Sequence, residues 1–359
     1  MDLNIITFYD AYNYGAFWQA KALNLYLKKN VSKEIFFIKT NQRKFWIELT
    51  KRLKGLYRLH KLNVIEVFFY YNMYRTINKF KNEFRFKNIG NILATDIIIF
   101  GSDEIWNISR KANCKKSAEI LWGKGIKDSV KRVAYAPSMN NTNEKQFAER
   151  ADLVTEANKF AHISCRDYGT LDILKNTLNK SIKLVVDPTL LLDTKYYESR
   201  QIVPKEKDFI LVYSYGHDIS AKEIEKIIAL KEQTGKQVIS FGNYLKFADK
   251  NVYGSPEEFL GYFYNANCVI TDTFHGTMFS MIYKKPLLLL LHRQAKVESA
   301  IKQFELEGFL VNEEVDFYQA RMLKDYSVLW EKSYRMLEKY RLASYQFIKR
   351  AIDDDCIET

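Results

Sequence analysis

The segment best suited to chemistry is T-D-T-F-H-G-T-M-F-S, from Thr271 to Ser280. An apolar run ends at Ile270, a polar turn holding Asp272 and Thr273 follows, and a helical pattern starts near His275. A histidine at that place can hold or release a proton near neutral pH. The first turn of a helix offers N–H groups and a positive dipole end to a phosphate or carboxylate, and Gly276 lets the backbone approach a ligand closely. The bland reading of the same residues is a capping turn with a packed histidine.

Other polar residues fall at similar places, just after apolar runs. G-S-D-E-I-W-N, from Gly101 to Asn107, follows the most apolar run, and Asp103 there can accept from a sugar hydroxyl or orient a base. A-Y-N-Y-G puts Asn13, Tyr14 and Gly15 in the first strand–helix loop. S-C-R-D puts Arg166 where a guanidinium can clamp an anion bidentately, or pair with Asp167 at the surface. Asn140 and Tyr215 also follow strand-like runs. V-V-D-P reads as a tight strand exit, with Asp187 and Pro188 structural. The first loop lacks both G-x-G-x-x-G and G-x-x-x-x-G-K, so neither dinucleotide nor nucleoside-triphosphate loops are indicated. No metal-ligand spacing occurs, and no metal or resident cofactor is expected.

These residues need a frame. Short runs rich in Ile, Val and Phe recur (NIITFYD, EIFFIKT, DIIIFGSD, RVAYAPS, HISCRD, KLVVDP, then FILVYSYG, QVISFGN, CVITDTF, PLLLLL), and helical patterns separate most of them. Helices are expected at Ala16 to Lys29, Glu144 to Phe160, Ser220 to Gln233, Ser255 to Tyr264 and His275 to Tyr283. Continuous apolar strands alternating with helices predict parallel sheets covered on both faces. The polar stretch near 193–208 divides them into two sets. The expected fold is α/β, with one Rossmann-like domain over 1–193, a second over 194–314, and a helical tail over 315–359 that crosses back to the first. Ligands of such sheets sit outside the carboxyl ends of the strands, where the polar residues above lie.

The chain has 359 residues and a net charge of +12. With 24 Phe, 24 Tyr and 5 Trp it can bury a large core, which excludes intrinsic disorder. No apolar run reaches the roughly 18 residues of a membrane-spanning helix. The start, MDLNIITFYD, lacks the basic and apolar regions of a signal peptide, and Cys114, Cys165, Cys268 and Cys356 form no C-x-x-C pair. A cytoplasmic protein with reduced thiols is expected. Between 41 and 90, twelve Lys or Arg face three Glu, among many aromatics. R-K-F-W-I-E-L-T-K-R-L-K-G-L-Y reads as a basic amphipathic helix. It suits a solvated helical pair or the inner face of an anionic membrane; no nucleic-acid motif accompanies it, and nucleic acid is not an expected partner.

Taken together, the N-Y-G loop, the G-S-D-x-x-W-N turn, the S-x-R-D strand end, the D-P-T-L-L-L run and T-D-T-F-H-G-T, in this order, resemble the polysaccharide pyruvyl transferase family. The resemblance spans about residues 3–312. It implies the GT-B architecture of two-domain glycosyltransferases, with the site in the interdomain cleft. It implies transfer of a pyruvyl group from phosphoenolpyruvate, a co-substrate, to two hydroxyls of a glycan or lipid-linked sugar, giving a cyclic ketal. His275 then resembles the acid/base and Arg166 a donor-binding arginine. Gly276, Thr277 and the N–H groups behind them would cradle phosphate, and Asn13, Asp103 and Asn140 would line the cleft. One branch of the family carries Arg-Leu-His-Gly, where this chain has Thr273-Phe274-His275-Gly276. Either Arg293, Lys296 or Lys285 replaces the missing cation, or the donor is a nucleotide sugar and the protein a glycosyltransferase.

Overall fold

The computed structural model describes residues 2–39, 49–51, 53–54, 63–80, 83–109, 116–215, 219–292 and 294–353. The first lobe runs β1 (Leu3–Ile6), α1 (Tyr14–Asn30), β2 (Ile35–Ile38), α2 (Val64–Phe80), β3 (Phe86–Lys87), β4 (Ile97–Phe100) and β5 (Lys131–Ala134). It continues with α3 (Glu144–Ala148), α4 (Ala151–Asn158), β6 (His162–Cys165), α5 (Tyr168–Thr177), β7 (Ile182–Leu184) and α6 (Thr194–Glu198). The second lobe runs β8 (Phe209–Tyr213), α7 (Ala221–Thr234), β9 (Gln237–Phe241), β10 (Lys250–Val252), α8 (Pro256–Asn265), β11 (Cys268–Thr271), α9 (Phe274–Ile282) and β12 (Leu287–Leu290). α10 (Ala295–Phe304), β13 (Leu310–Val311), α11 (Phe317–Leu323) and α12 (Tyr326–Ile352) close the chain.

Each lobe is one parallel sheet. The orders are β3-β2-β1-β4-β5-β6-β7 and β10-β9-β8-β11-β12-β13. β1, β4, β8, β11 and β12 are buried along their whole length, which is why their sequences are mostly apolar rather than alternating. The order reverses between β1 and β4 in one sheet and between β8 and β11 in the other; the loops leaving β1, β4 and β8 carry Asn13, Asp103 and Tyr215, and the helix that follows β11 carries His275 in its first turn. The doubly wound α/β expectation thus holds, and these loops are where ligands of such sheets bind.

Helices α1, α2 and α12 each tie one lobe to the other. Tyr14 and Trp18 of α1 reach into the second lobe, where Tyr14 Oη donates to the Gly254 carbonyl (3.0 Å) and Trp18 Nε1 to the Pro256 carbonyl (3.1 Å). In α2, Tyr70 Oη accepts from the Tyr244 N–H (3.1 Å). The last helix, α12, starts on the second lobe, with Trp330 Nε1 donating to the Lys285 carbonyl, and ends on the first, with Arg341 Nε donating to the Leu190 carbonyl and Ser344 Oγ accepting from the Val186 N–H. The tail crosses back as expected, though as two helices broken at Lys324, a residue with extended backbone.

Two local expectations change. The helix over 144–160 is two helices separated by Arg150, whose guanidinium binds Asp152 in bidentate fashion (2.8 Å twice). Most of the basic helix expected from Arg43 to Leu62 lies outside the described residues. The structure instead describes α2, which buries Phe69, Tyr70, Met73, Tyr74 and Ile77 and leaves Val64, Ile65 and Phe68 exposed.

Candidate active site

The centre of the cleft is built on Asp187. The chain leaves β7 and turns at Asp187-Pro188, and the Asp187 side chain is fully buried. Its Oδ1 accepts from the Thr189 N–H (3.0 Å) and hydroxyl (2.8 Å), which caps the turn. Its Oδ2 accepts from the Arg166 guanidinium (2.6 Å) and the Ser102 hydroxyl (2.9 Å). The other arm of Arg166 reaches Asp103 Oδ1 at 3.2 Å, and its plane lies over the Phe274 ring at 4.4 Å. Burial opposes the Asp187 charge, yet Arg166 overcomes it and holds this carboxyl below the usual range.

His275 joins this cluster from the second lobe. Its Nε2 lies 3.9 Å from Asp187 Oδ2 and has no hydrogen-bond partner, although it is buried. The imidazole is 11% exposed. Burial, helped by the Arg166 charge and opposed by Asp187, pulls it down to about 4, so the ring is neutral at pH 7. Gly15 closes the other side. A Cβ at that position would sit 2.3 Å from His275 Cγ and Nδ1, so only glycine admits the ring. Gly15→Ala should therefore keep the fold but push His275 aside. A displacement near 1 Å is worth about a hundredfold in rate, and a Gly15→Ala enzyme with unchanged turnover would contradict this placement.

Thr273 explains why no arginine stands at its position. It caps α9, its Oγ1 accepting from the Gly276 N–H (3.0 Å) and bonding Thr271 Oγ1 (3.0 Å). This also corrects the cradle expected at Gly276 and Thr277. The Gly276 N–H is taken by the cap, and the Thr277 N–H (3.0 Å) and hydroxyl (2.9 Å) both donate to the Thr273 carbonyl. Gly276 is glycine because a Cβ would lie 2.1 Å from Thr271 Oγ1. The first-turn N–H groups left without a partner among the described residues are those of Phe274 and His275.

The remaining sequence candidates divide. Asn13 caps α1 through its Oδ1 and donates from Nδ2 to Tyr215 Oη (2.7 Å), which brings both to the seam. Asp103 and Asn140 adopt left-handed backbone, with φ of 74° and 45°, a cost that concentrates at functional sites, and Asn140 Oδ1 is buried without a partner. Lys296 crosses the seam to Glu104 Oε1 (2.6 Å); burial works against its charge, but Glu104 holds its ammonium above the usual value. Tyr14 is buried with its ring stacked on Phe259 in the second lobe, and with Asn13 and Tyr215 it lines a small cavity of about 80 Å³ at the seam. Arg166 pairs with Asp187 and Asp103 rather than Asp167, which caps α5. Arg293 lies outside the described residues. Asp272 bonds His292 Nδ1 (3.2 Å), whose Nε2 faces Glu223 (3.0 Å). These two carboxylates, Asp272 first, lift His292 to about 9 and leave it cationic.

Sequence reasoning reads Asp187 as structural and singles out none of Ser102, Glu104, Glu223 and His292 for the site. The strand-end rule reaches all but Glu223, which sits in the first turn of α7.

Two doubly wound parallel sheets facing a cleft at their carboxyl ends, with a last helix returning to the first lobe, make a protein of the GT-B type. A UDP-GlcNAc 2-epimerase from Neisseria meningitidis, bound to UDP-GlcNAc, superposes with a TM-score of 0.53 at 10% identity, over 98% of this chain and 99% of that one. A protein from Listeria monocytogenes described as a UDP-N-acetylglucosamine 2-epimerase does so at 0.51 and 10% identity, over 98% and 96%. Likeness at this identity is likeness of fold. No curated protein matches the chain. The model of the polysaccharide pyruvyl transferase family matches residues 13–293, and the chain belongs to that family.

Proposed function

We propose that the protein transfers a pyruvyl group from phosphoenolpyruvate to two hydroxyls of one sugar in a cell-surface glycan or its lipid-linked precursor. The observation that carries this is His275, a neutral imidazole lodged between Gly15 and the Arg166–Asp187 pair in a chain of this family. The reaction adds a proton to the methylene carbon of the enol and an acceptor oxygen to its central carbon. The second hydroxyl then replaces phosphate on that carbon, its proton leaving with the phosphate. Two acceptor O–H bonds break and two C–O bonds form, so one proton ends on carbon and one on phosphate. His275 is the group placed to deliver and collect these protons. In this reading the unpartnered N–H groups of Phe274 and His275 and the Lys296 ammonium would bind the anionic donor. Asp103, Asn13 and Tyr215 offer polar atoms to the sugar.

The test is thermal stabilisation by phosphoenolpyruvate against UDP, GDP and CMP. A ligand at about 100 times its Kd adds roughly 2.7 kcal/mol. Stabilisation by phosphoenolpyruvate alone is expected. Stabilisation by one nucleotide alone would replace this reading with a nucleotide-sugar glycosyltransferase.

A lipid-linked acceptor would lie at a membrane face. No described helix is long and apolar enough to cross a membrane. The start of α2 nevertheless exposes Val64 (84%), Ile65 (65%) and Phe68 (66%), in the stretch that carries most of the net charge. Binding to anionic vesicles at low salt, lost at high salt and reduced at least tenfold by Phe68→Asp, is the expected result. Equal binding of wild type and variant would remove this patch from the argument.

A further inference from the structure

We propose a second ligand site, on the face of the first lobe away from the cleft, for a phosphomonoester carrying an apolar body. A cavity of about 460 Å³ opens between the starts of β6 and β7 and the side of α12. Arg166 and Asp187 follow the ends of the same two strands, so cavity and catalytic cleft lie at opposite ends of the sheet.

Its lining separates by chemistry. Lys180, Lys183 and Arg350 supply three cations, and no carboxylate is among the described lining residues. This is unusual for the lobe. Close by, Arg132 is paired with Asp128 and Glu156, Lys159 with the same two, and Arg150 with Asp152. Lys180 is half-buried and, among the described residues, donates to the Phe160 carbonyl (2.5 Å). Burial lowers its ammonium, and no carboxylate of the described residues opposes the shift. An arriving anion would supply the missing charge. The same lining holds the apolar side chains of Ile163, Leu184 and Phe347. The volume falls in the range of small-molecule sites, and inorganic phosphate alone would fill only a fraction of it. Cations in one lining with apolar side chains select a phosphate joined to a ring or alkyl chain.

Phenyl phosphate and hexyl phosphate are the probes, titrated calorimetrically against the full chain with inorganic phosphate alongside and saturating phosphoenolpyruvate present to occupy the cleft. Vesicles containing phosphatidic acid form a separate arm. Saturable binding of the organic phosphates, at least tenfold tighter than inorganic phosphate, is expected. Lys183→Glu with Arg350→Glu, both exposed and outside the cleft, should weaken it at least tenfold while the unliganded melting midpoint stays put. If that variant also melts early, Lys183→Ala alone should still weaken binding severalfold. Vesicle binding lost in the same variant would make the ligand a lipid headgroup, and binding of the soluble esters alone a free metabolite; both sustain the site. Unchanged affinity in the variants, or equal affinity for inorganic phosphate, overturns it.

Discussion

His275→Ala is expected to lower pyruvyl transfer by roughly 10²–10⁴-fold, the usual worth of a positioned acid/base, with the fold intact. Its proton inventory makes the expectation sharper. The imidazole sits near pKa 4 because it is buried beside Arg166, so the free enzyme at pH 7 carries no proton there to give. Phosphoenolpyruvate brings negative charge to the same place. A nearby anion favours the charged imidazole and raises its pKa. Binding at pH 7 should therefore draw a proton from the buffer, up to one per site. Calorimetry in buffers of different ionisation enthalpy reads this directly, and His275→Gln should bind without the uptake. The sign matters for stability too. A histidine depressed from 6.5 costs nothing at neutral pH, and destabilises the fold as pH falls from about 6.5 through 4. A His275→Ala enzyme with wild-type turnover, or donor binding with no proton exchange, would remove the histidine from the chemistry.

How much of this could be read beforehand depended on pattern length. Strands of four or five buried apolar residues, such as Ile97–Phe100 and Phe209–Tyr213, announce themselves because both faces are covered. β3, β10 and β13 have two or three residues each at sheet edges and carry no periodic signal. α2 shows apolar residues at 69, 70, 73, 74 and 77, but the cations preceding it drew the helix assignment toward the N-terminus. At the site, residue types were legible and partners were not. Thr273 looked like a missing arginine, and its cap on Gly276 became visible only when the turn closed. Tyr14 looked like a cleft residue because it follows β1, but its bond to the Gly254 carbonyl in the other lobe was not legible. D-P-T-L-L-L reads as a turn and is one. One oxygen of Asp187 makes that turn while the other holds Arg166, and sequence cannot divide a carboxylate between two roles.

That division predicts what removing Asp187 does. Asp187→Ala leaves the Arg166 guanidinium, 1% exposed, with only Asp103 at 3.2 Å and Ser102. Breaking a buried pair from one side costs about 3–5 kcal/mol, because the remaining charge has lost its compensation. The Thr189 cap is lost with it, for about 1 kcal/mol more. A fall of several degrees in the melting midpoint and loss of transfer are expected together, so stability alone would not separate scaffold from function. The pair can be removed as a unit. Arg166→Met with Asp187→Leu deletes both charges at similar volume, and such exchanges are often neutral or stabilising. Asp103, 16% exposed, can turn to water. The double variant should recover most of the midpoint and none of the activity. It should also lose the proton uptake on donor binding, since Asp187 is the carboxylate beside His275 that favours its charged form. Recovery of transfer along with the midpoint would make the pair a scaffold and nothing more. Recovery of the midpoint alone would place these two charges in the reaction, holding the imidazole ready for a proton that arrives with the donor.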